Sequence, residues 1–231
     1  MQNLWPDDFT LDDDPETAAK VRAFIDEQMA ALKSFDAKRE AWVAENLPSS
    51  YHMTYYFHDH ARRVAEDMRR TAKHMGLSDP AAENLYLAML PHDIGKKLLP
   101  LHIWDTIEKP ENDLKTLRRS HTELGISIAD KGLAGVSHPF IDLMKDIMLN
   151  HHEQMDGGGF LGKTGDELSA PVRLACIIES FDGYSIARPH FGKRDITVSG
   201  VLSRMRESKG AAMYDMDMFE AFAAMKLAET A

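Results

Sequence analysis

Cysteine is nearly absent from this chain, and the single one, Cys176, excludes an internal disulfide and any cysteine-rich zinc site. Long apolar runs are missing too: no stretch approaches the roughly 20 residues that span a bilayer, so no membrane span is expected. Period-two alternation is absent and valine is sparse, which argues against strands. Basic runs are short. Arg62-Arg63 and Arg69-Arg70 are interrupted by acids and apolar residues, and the net charge is −10, so nucleic acid is not an expected partner. The N-terminus, Met1-Gln2-Asn3-Leu4-Trp5-Pro6-Asp7-Asp8, has no basic region ahead of an apolar stretch, so no signal peptide is expected. Together with the lone cysteine, this points to the cytoplasm. What is plentiful is methionine, 14 residues, and histidine, 11. The methionines read as adaptable filling of a core. The histidines need a different reason.

Helical signals fill the chain, so the expected fold class is all-α. Asp14-Pro15-Glu16 is a helix start, with a cap, a proline in the first turn and an acid. Val21, Phe24, Ile25 and Leu32 follow at helical spacing, a second short helix is expected over 35–45, and Leu47-Pro48-Ser49-Ser50 is a break. Residues 1–49 therefore form a helical extension and 50–231 the main domain. The stripe on the extension suits either capping of the bundle or a homodimer, and capping is preferred because it needs no partner. Further helices are expected over 54–75, ending at Gly76, from Asp79-Pro80 towards His92, over 111–131, 139–150 and 171–186, then around 199–208 and 215–227.

Certain side chains fall at one chosen spot on each helix. His60 lies between Phe57 and Val64 on a core stripe, His121 interrupts an apolar stripe, and His92-Asp93 and His151-His152 end their helices. Glu179 sits three residues after Cys176 on an inner face. These positions recur at about one helix plus a loop, so a bundle that reverses at each loop gathers them. One inward histidine is an ordinary core residue. Several of them with two acids cannot all be satisfied separately, because buried polar groups need partners or metal. Imidazole and carboxylate without thiolate suit iron, manganese, cobalt, nickel or zinc. Asp93 can bridge two such ions, which would hold a hydroxide for in-line attack on phosphorus. Lys96 would offset phosphate charge, and the Gly157-Gly158-Gly159 loop would bring backbone amides to the substrate.

His92-Asp93-Ile94-Gly95-Lys96 resembles the HDxGK motif of HD-domain metal-dependent phosphohydrolases. The run from His151 to Leu161 resembles the HHExxDGxGYP motif of their HD-GYP subfamily. Ile177 to Tyr184 resembles the IADxFDAL helix, Arg188-Pro189-His190 the RPY turn, Gly210 to Phe222 the closing helix and His60 to Val64 the opening HxxRV helix. The resemblance implies an HD-domain helical bundle over about 50–231. It implies a phosphodiesterase that opens a cyclic dinucleotide, cyclic di-GMP foremost, with divalent iron or manganese held by His60, His92, Asp93, His121, His151, His152 and Glu179. It adds Arg188 and Lys193 to Lys96 as substrate contacts. Three departures stand out: Gly159-Phe160-Leu161 replaces GYP, Glu179 replaces an aspartate, and Tyr56 stands where trinuclear members carry a glutamate, which favours two metals. Other readings of the same residues are a degenerate module that senses a nucleotide or docks a signalling partner, a phosphohydrolase of other nucleotides, and a di-iron oxygenase.

Overall fold

The computed structural model describes residues 5–6, 9–187 and 192–230. Among these there are nine α-helices and no strand. They are α1 (Pro15–Asn46), α2 (Phe57–His74), α3 (Asp79–Met89), α4 (Asn112–Arg119), α5 (His121–Gly132), α6 (Pro139–Asn150), α7 (Ala170–Ser185), α8 (Val198–Ser208) and α9 (Met216–Ala228). None is long and apolar enough to cross a membrane.

The apolar stripes of α2, α3, α6 and α7 make the centre. Val64, Met68, Leu85, Met89, Met144, Ile147, Met148, Ile177 and Ile178 are all fully buried in one core. The methionines thus pack as expected, filling gaps between helices with unbranched side chains. Local chemistry sets the ends. Gly76 takes φ +87° after α2, a conformation that costs a residue with a Cβ. Ser78 caps α3 by accepting from Ala81 N, and the helix begins at Asp79 as the sequence suggested. Ser169 caps α7, with Pro171 in its first turn.

Two expectations about helix boundaries are corrected. The extension is a single helix, α1, rather than two: no Gly or Pro lies between Leu32 and Phe35 to break it. Conversely, the helix expected over 111–131 is broken at Ser120, whose N–H and hydroxyl both turn back to Leu117 O. The reason is tertiary. The Gly95 backbone nests against the first turn of α5, so closely that a Cβ there would collide with the His121 carbonyl. The break lets His121 start a helix of its own beside Asp93.

The α1 helix lies on the bundle and shares its core through Val21, Phe24, Ile25, Met29, Leu32 and Phe35. Its strongest tie is Arg39, 1% exposed. The guanidinium donates to Asp105 through Nε and Nη2 (both 3.0 Å), to Asp36 (2.6 Å) and to Tyr55 O (3.1 Å), and lies 3.8 Å over the Phe57 ring. Asp36 in turn accepts from Phe57 N and His58 N, capping α2 from another helix. This network carries two buried carboxylates on one buried cation. Removing the cation leaves both uncompensated, which costs about 3–5 kcal/mol. Arg39→Met is therefore expected to lower unfolding free energy by about that amount in urea titration; an unchanged midpoint would contradict this role.

Candidate metal centre

The histidines and acids singled out in the sequence meet, all but Glu179 at or near helix ends. His60 comes from the first turn of α2, His92 and Asp93 from the turn after α3, His121 from the start of α5, His151 and His152 from the end of α6, and Glu179 from α7. All are buried except His152, which is partly exposed. Asp93 lies between two groups. Near its Oδ2 are His60 Nε2 and His92 Nε2, each at 3.4 Å. Glu179 Oε2 adjoins them, 2.9 Å from His60 Nε2 and 3.4 Å from His92 Nε2. Near Oδ1 are His121 Nε2 at 3.2 Å and His151 Nε2 at 3.8 Å, with His152 completing the group.

The outward nitrogens fix the chemistry of the inward ones. His92 Nδ1 faces Met89 O at 2.9 Å, His121 Nδ1 faces Arg118 O at 2.7 Å, and His151 Nδ1 faces Ile147 O and Met148 O at 3.1 and 3.0 Å. His60 Nδ1 faces Asp182 Oδ2 at 2.6 Å. Carbonyl and carboxylate oxygens only accept, so each Nδ1 carries the hydrogen and donates it. In the neutral rings every Nε2 is then a bare lone pair. Those lone pairs point at each other, at 3.2 Å for His60 and His92 and 3.3 Å for His121 and His151, and at carboxylate oxygens. Asp93 Oδ1 and Glu179 Oε2 are buried without a hydrogen-bond donor. Acceptors turned on one another in this way call for positive charge between them, from a metal ion or from protons. Ligands about 2.0–2.2 Å from a divalent ion stand about 3 Å apart across the edge of its coordination sphere, close to the spacings here. The residues therefore fit the metal ions that the sequence implied.

The electrostatics agree. Burial works against an ionised Asp93, but Lys96 and His92 outweigh it and hold the carboxyl well below its ordinary range. Burial likewise opposes charge on Glu179, and His60 and His92 override it. Burial would suppress charge on His92, yet Asp93 and Glu179 raise it to about 10; His60 is raised in the same way by Glu179, Asp182 and Asp93. Without a cation, this side of Asp93 draws protons instead. On the other side, burial and the neighbouring imidazoles push His151 well below the usual range, and burial takes His152 to about 3.

A cavity of about 320 Å³ opens over this cluster, lined among others by Tyr55, Phe57, Lys96, Trp104, His152 and Phe160. Lys96 is buried at its floor, donates to Asp93 Oδ2, and stands 4.7 Å over the Phe57 ring. Of the other expected contacts, those among the described residues do not line the cavity. Arg188 lies outside the described residues. Lys193 is exposed and does not line the cavity. Gly157 and Gly158 do not line it either: Gly157 takes φ +79°, and Gly158 N donates to Asp156 Oδ1 at 2.9 Å, an amide used inside its own turn. The loop reaches the cavity through Phe160, whose ring packs on His152 with centroids 4.4 Å apart. Tyr56 donates to Glu40 at 3.0 Å, outside the cluster.

Two residues escaped the sequence reading. Asp182 accepts from His60 and from Arg63 Nε (2.7 Å) and Nη2 (3.0 Å), so it holds the His60 tautomer; burial is outweighed and its pKa is lowered. Its spacing of three from Glu179 on an inner helix face was the available signal. Glu153, also buried, accepts from Leu161 N and Lys163 N and anchors the glycine loop.

The all-α bundle gathers these side chains into one His-Asp cluster of the kind that could hold metal ions. Residues 52–218 match the HD domain, and the chain belongs to that family. It is 29% identical over 166 residues to 3'3'-cGAMP-specific phosphodiesterase 1 of Vibrio cholerae, covering 70% of this chain and 36% of that protein. It is also 29% identical over 168 residues to a cyclic di-GMP phosphodiesterase of Thermotoga maritima, covering 71% of this chain and 43% of that protein. The chain thus spans about two fifths or less of these two curated relatives. Its fold is similar to that of Bd1817, a HDG"Y"P protein from Bdellovibrio bacteriovorus, with TM-score 0.58 and 15% identity over 89% of this chain and 64% of that one. A further likeness is to the HD domain of L. monocytogenes phosphodiesterase PgpH in complex with cyclic-di-AMP, with TM-score 0.50 and 16% identity over 75% of this chain and 89% of that one.

The proton balance gives a sign. A divalent ion must displace protons that the carboxylates hold on His60 and His92, so affinity should climb with pH and binding at pH 7 should release protons. Calorimetry in buffers of different ionisation enthalpy measures this, and binding without proton release would contradict it. Asp182→Asn should weaken metal binding about 10–100-fold through the loosened His60; an unchanged titration would show that Asp182 is only structural.

Proposed function

We propose that this chain is the catalytic unit of a metal-dependent phosphodiesterase that opens a cyclic dinucleotide, cyclic di-GMP foremost, to a linear product. The observation that carries the reading is Asp93, with one oxygen turned to each of two ligand groups beneath a cavity rich in cations and aromatic rings. The names of the relatives, phosphodiesterases of cyclic di-GMP and 3'3'-cGAMP, support the substrate class. Residues 50–231 form the catalytic part in this reading, and α1 braces it. His60, His92 and Glu179 with Asp93 would hold one divalent ion, and His121, His151 and His152 with Asp93 a second, iron or manganese. The outward-turned Tyr56 supports two ions rather than three.

When bound, such ions act as Lewis acids toward a phosphoryl oxygen and acidify water. The chain's own residues do the rest. Asp93 and Glu179 are held ionised and would keep such ions in place. Lys96, held by Asp93 and walled by Phe57, Tyr55 and Trp104, stands where charge on the phosphate grows. The same rings narrow the water-filled space around it and so strengthen its field. Phe160 supplies an apolar face but no hydroxyl, so proton donation to the leaving oxygen is not assigned to that position.

Metal-loaded protein incubated with cyclic di-GMP and 3'3'-cGAMP should yield linear dinucleotides on chromatography. Lys96→Met should lower kcat about 10²–10³-fold with metal content retained. Intact cyclic dinucleotides alongside hydrolysis of nucleoside monophosphates would overturn the reading.

A further inference from the structure

The cavity over the metal centre has a second wall that neither the ligands nor Lys96 account for. Lys115, Arg118 and Arg119 of α4 line it together, at spacings of three and four that put them on one helix face. This is unexpected in a chain of net charge −10, where solvated cations usually find acids. Arg118 is spent on structure: its Nε donates to Ile103 O at 2.7 Å and its Nη2 to Trp104 O at 3.2 Å, which holds Trp104 in the cavity wall. The other two have no such commitment. The Lys115 ammonium reaches only the neutral Asn112 amide oxygen, at 3.3 Å, and the Arg119 guanidinium lies over the Phe160 ring at 4.8 Å. Among the described residues no carboxylate pairs with either. Trp104, in the same wall, has an indole N–H with no acceptor. Among the described residues the single acid lining the cavity is Glu179, which already faces His60 and His92.

A substrate with one phosphate needs only the metal centre and Lys96. Two more uncommitted cations, set one aromatic ring away from His152, match a second anionic group on the same ligand. We propose that the α4 face, through Lys115 and Arg119, is a subsite for a second phosphate, which it holds while the reacting phosphate sits at the metal centre. Phe160 serves this subsite by stacking between the Arg119 guanidinium and His152. Discrimination then runs by phosphate count: a ligand with two phosphates engages both ends of the cavity, and a simple phosphodiester engages one. The inference rests on the phosphodiesterase reading above.

The test uses metal-loaded protein and two slowly cleaved, phosphorothioate-linked guanosine dinucleotides that differ only in a 5′-phosphate. Wild type should bind the 5′-phosphorylated ligand at least about tenfold more tightly. The Lys115→Gln/Arg119→Gln double variant should lose that preference, keep its affinity for the unphosphorylated ligand within about threefold, and melt as wild type does. Equal affinity of wild type for the two ligands overturns the subsite. So does an equal loss for both in the variant, and so does no binding of either. A separate assay, turnover of cyclic di-GMP and of bis(4-nitrophenyl) phosphate by wild type, decides the phosphodiesterase reading: absence of both activities sinks it, while the binding comparison still decides the subsite.

Discussion

Everything in this structure turns on an imbalance of hydrogen-bonding roles around Asp93. Four imidazoles spend their single N–H outward, on carbonyls or on Asp182, and turn a lone pair inward. Two carboxylates join them and bring no donor. Buried acceptors packed against acceptors repel, and a bundle that also relied on them for stability would be poorly built. Positive charge between them turns the same geometry into an attractive one. The carbonyls that fix the tautomers belong to helix ends, where unsatisfied C=O groups are available without disturbing a helix interior. The histidines held by carbonyls accordingly sit at helix termini, while Glu179 reaches in from the inner face of α7.

The surrounding packing keeps those termini in register. Gly95 lets the turn after Asp93 press against the first turn of α5, which sets His121 opposite Asp93. Arg39 and Asp36 carry α1 to the start of α2, two residues before His60, and to Tyr55 and Phe57 in the cavity wall. The first helix therefore does more than cover apolar surface. Its buried charges reach the same rings that surround Lys96. A disturbance of α1 has a direct mechanical route to the cavity, through hydrogen bonds and one ring face.

Much of this was legible in the sequence, for a plain reason. A histidine on an apolar stripe, as at His60 and His121, or at the end of one, as at His92 and His151, is visible locally. The same periodicity placed the core of α2, α3, α6 and α7. Features that depend on distant partners were not legible. Arg39 reads as one more charge on an exposed helix, since its partner Asp105 is 66 positions away. Asp182 meets His60 across 122 positions. The break at Ser120 has no strong local breaker and comes from the Gly95 turn docked against α5. Lys115, Arg118 and Arg119 carry no local mark that sets them apart, and only the fold brings α4 to the cavity over the metal centre. The glycine loop misled in the opposite direction: its glycines answer the needs of its own turn and the close approach of Glu153, while its phenylalanine is what reaches the cavity.

The central claim concerns what lies between the lone pairs, and one measurement reaches it directly. Crystals of protein purified anaerobically with manganese, with diffraction recorded on both sides of the manganese absorption edge, would locate the ions by anomalous difference. Two peaks about 3.5–4 Å apart, one against each oxygen of Asp93, are expected. A featureless anomalous map in that pocket, with the inward imidazole nitrogens protonated and hydrogen-bonded to Asp93 and Glu179, would contradict the claim.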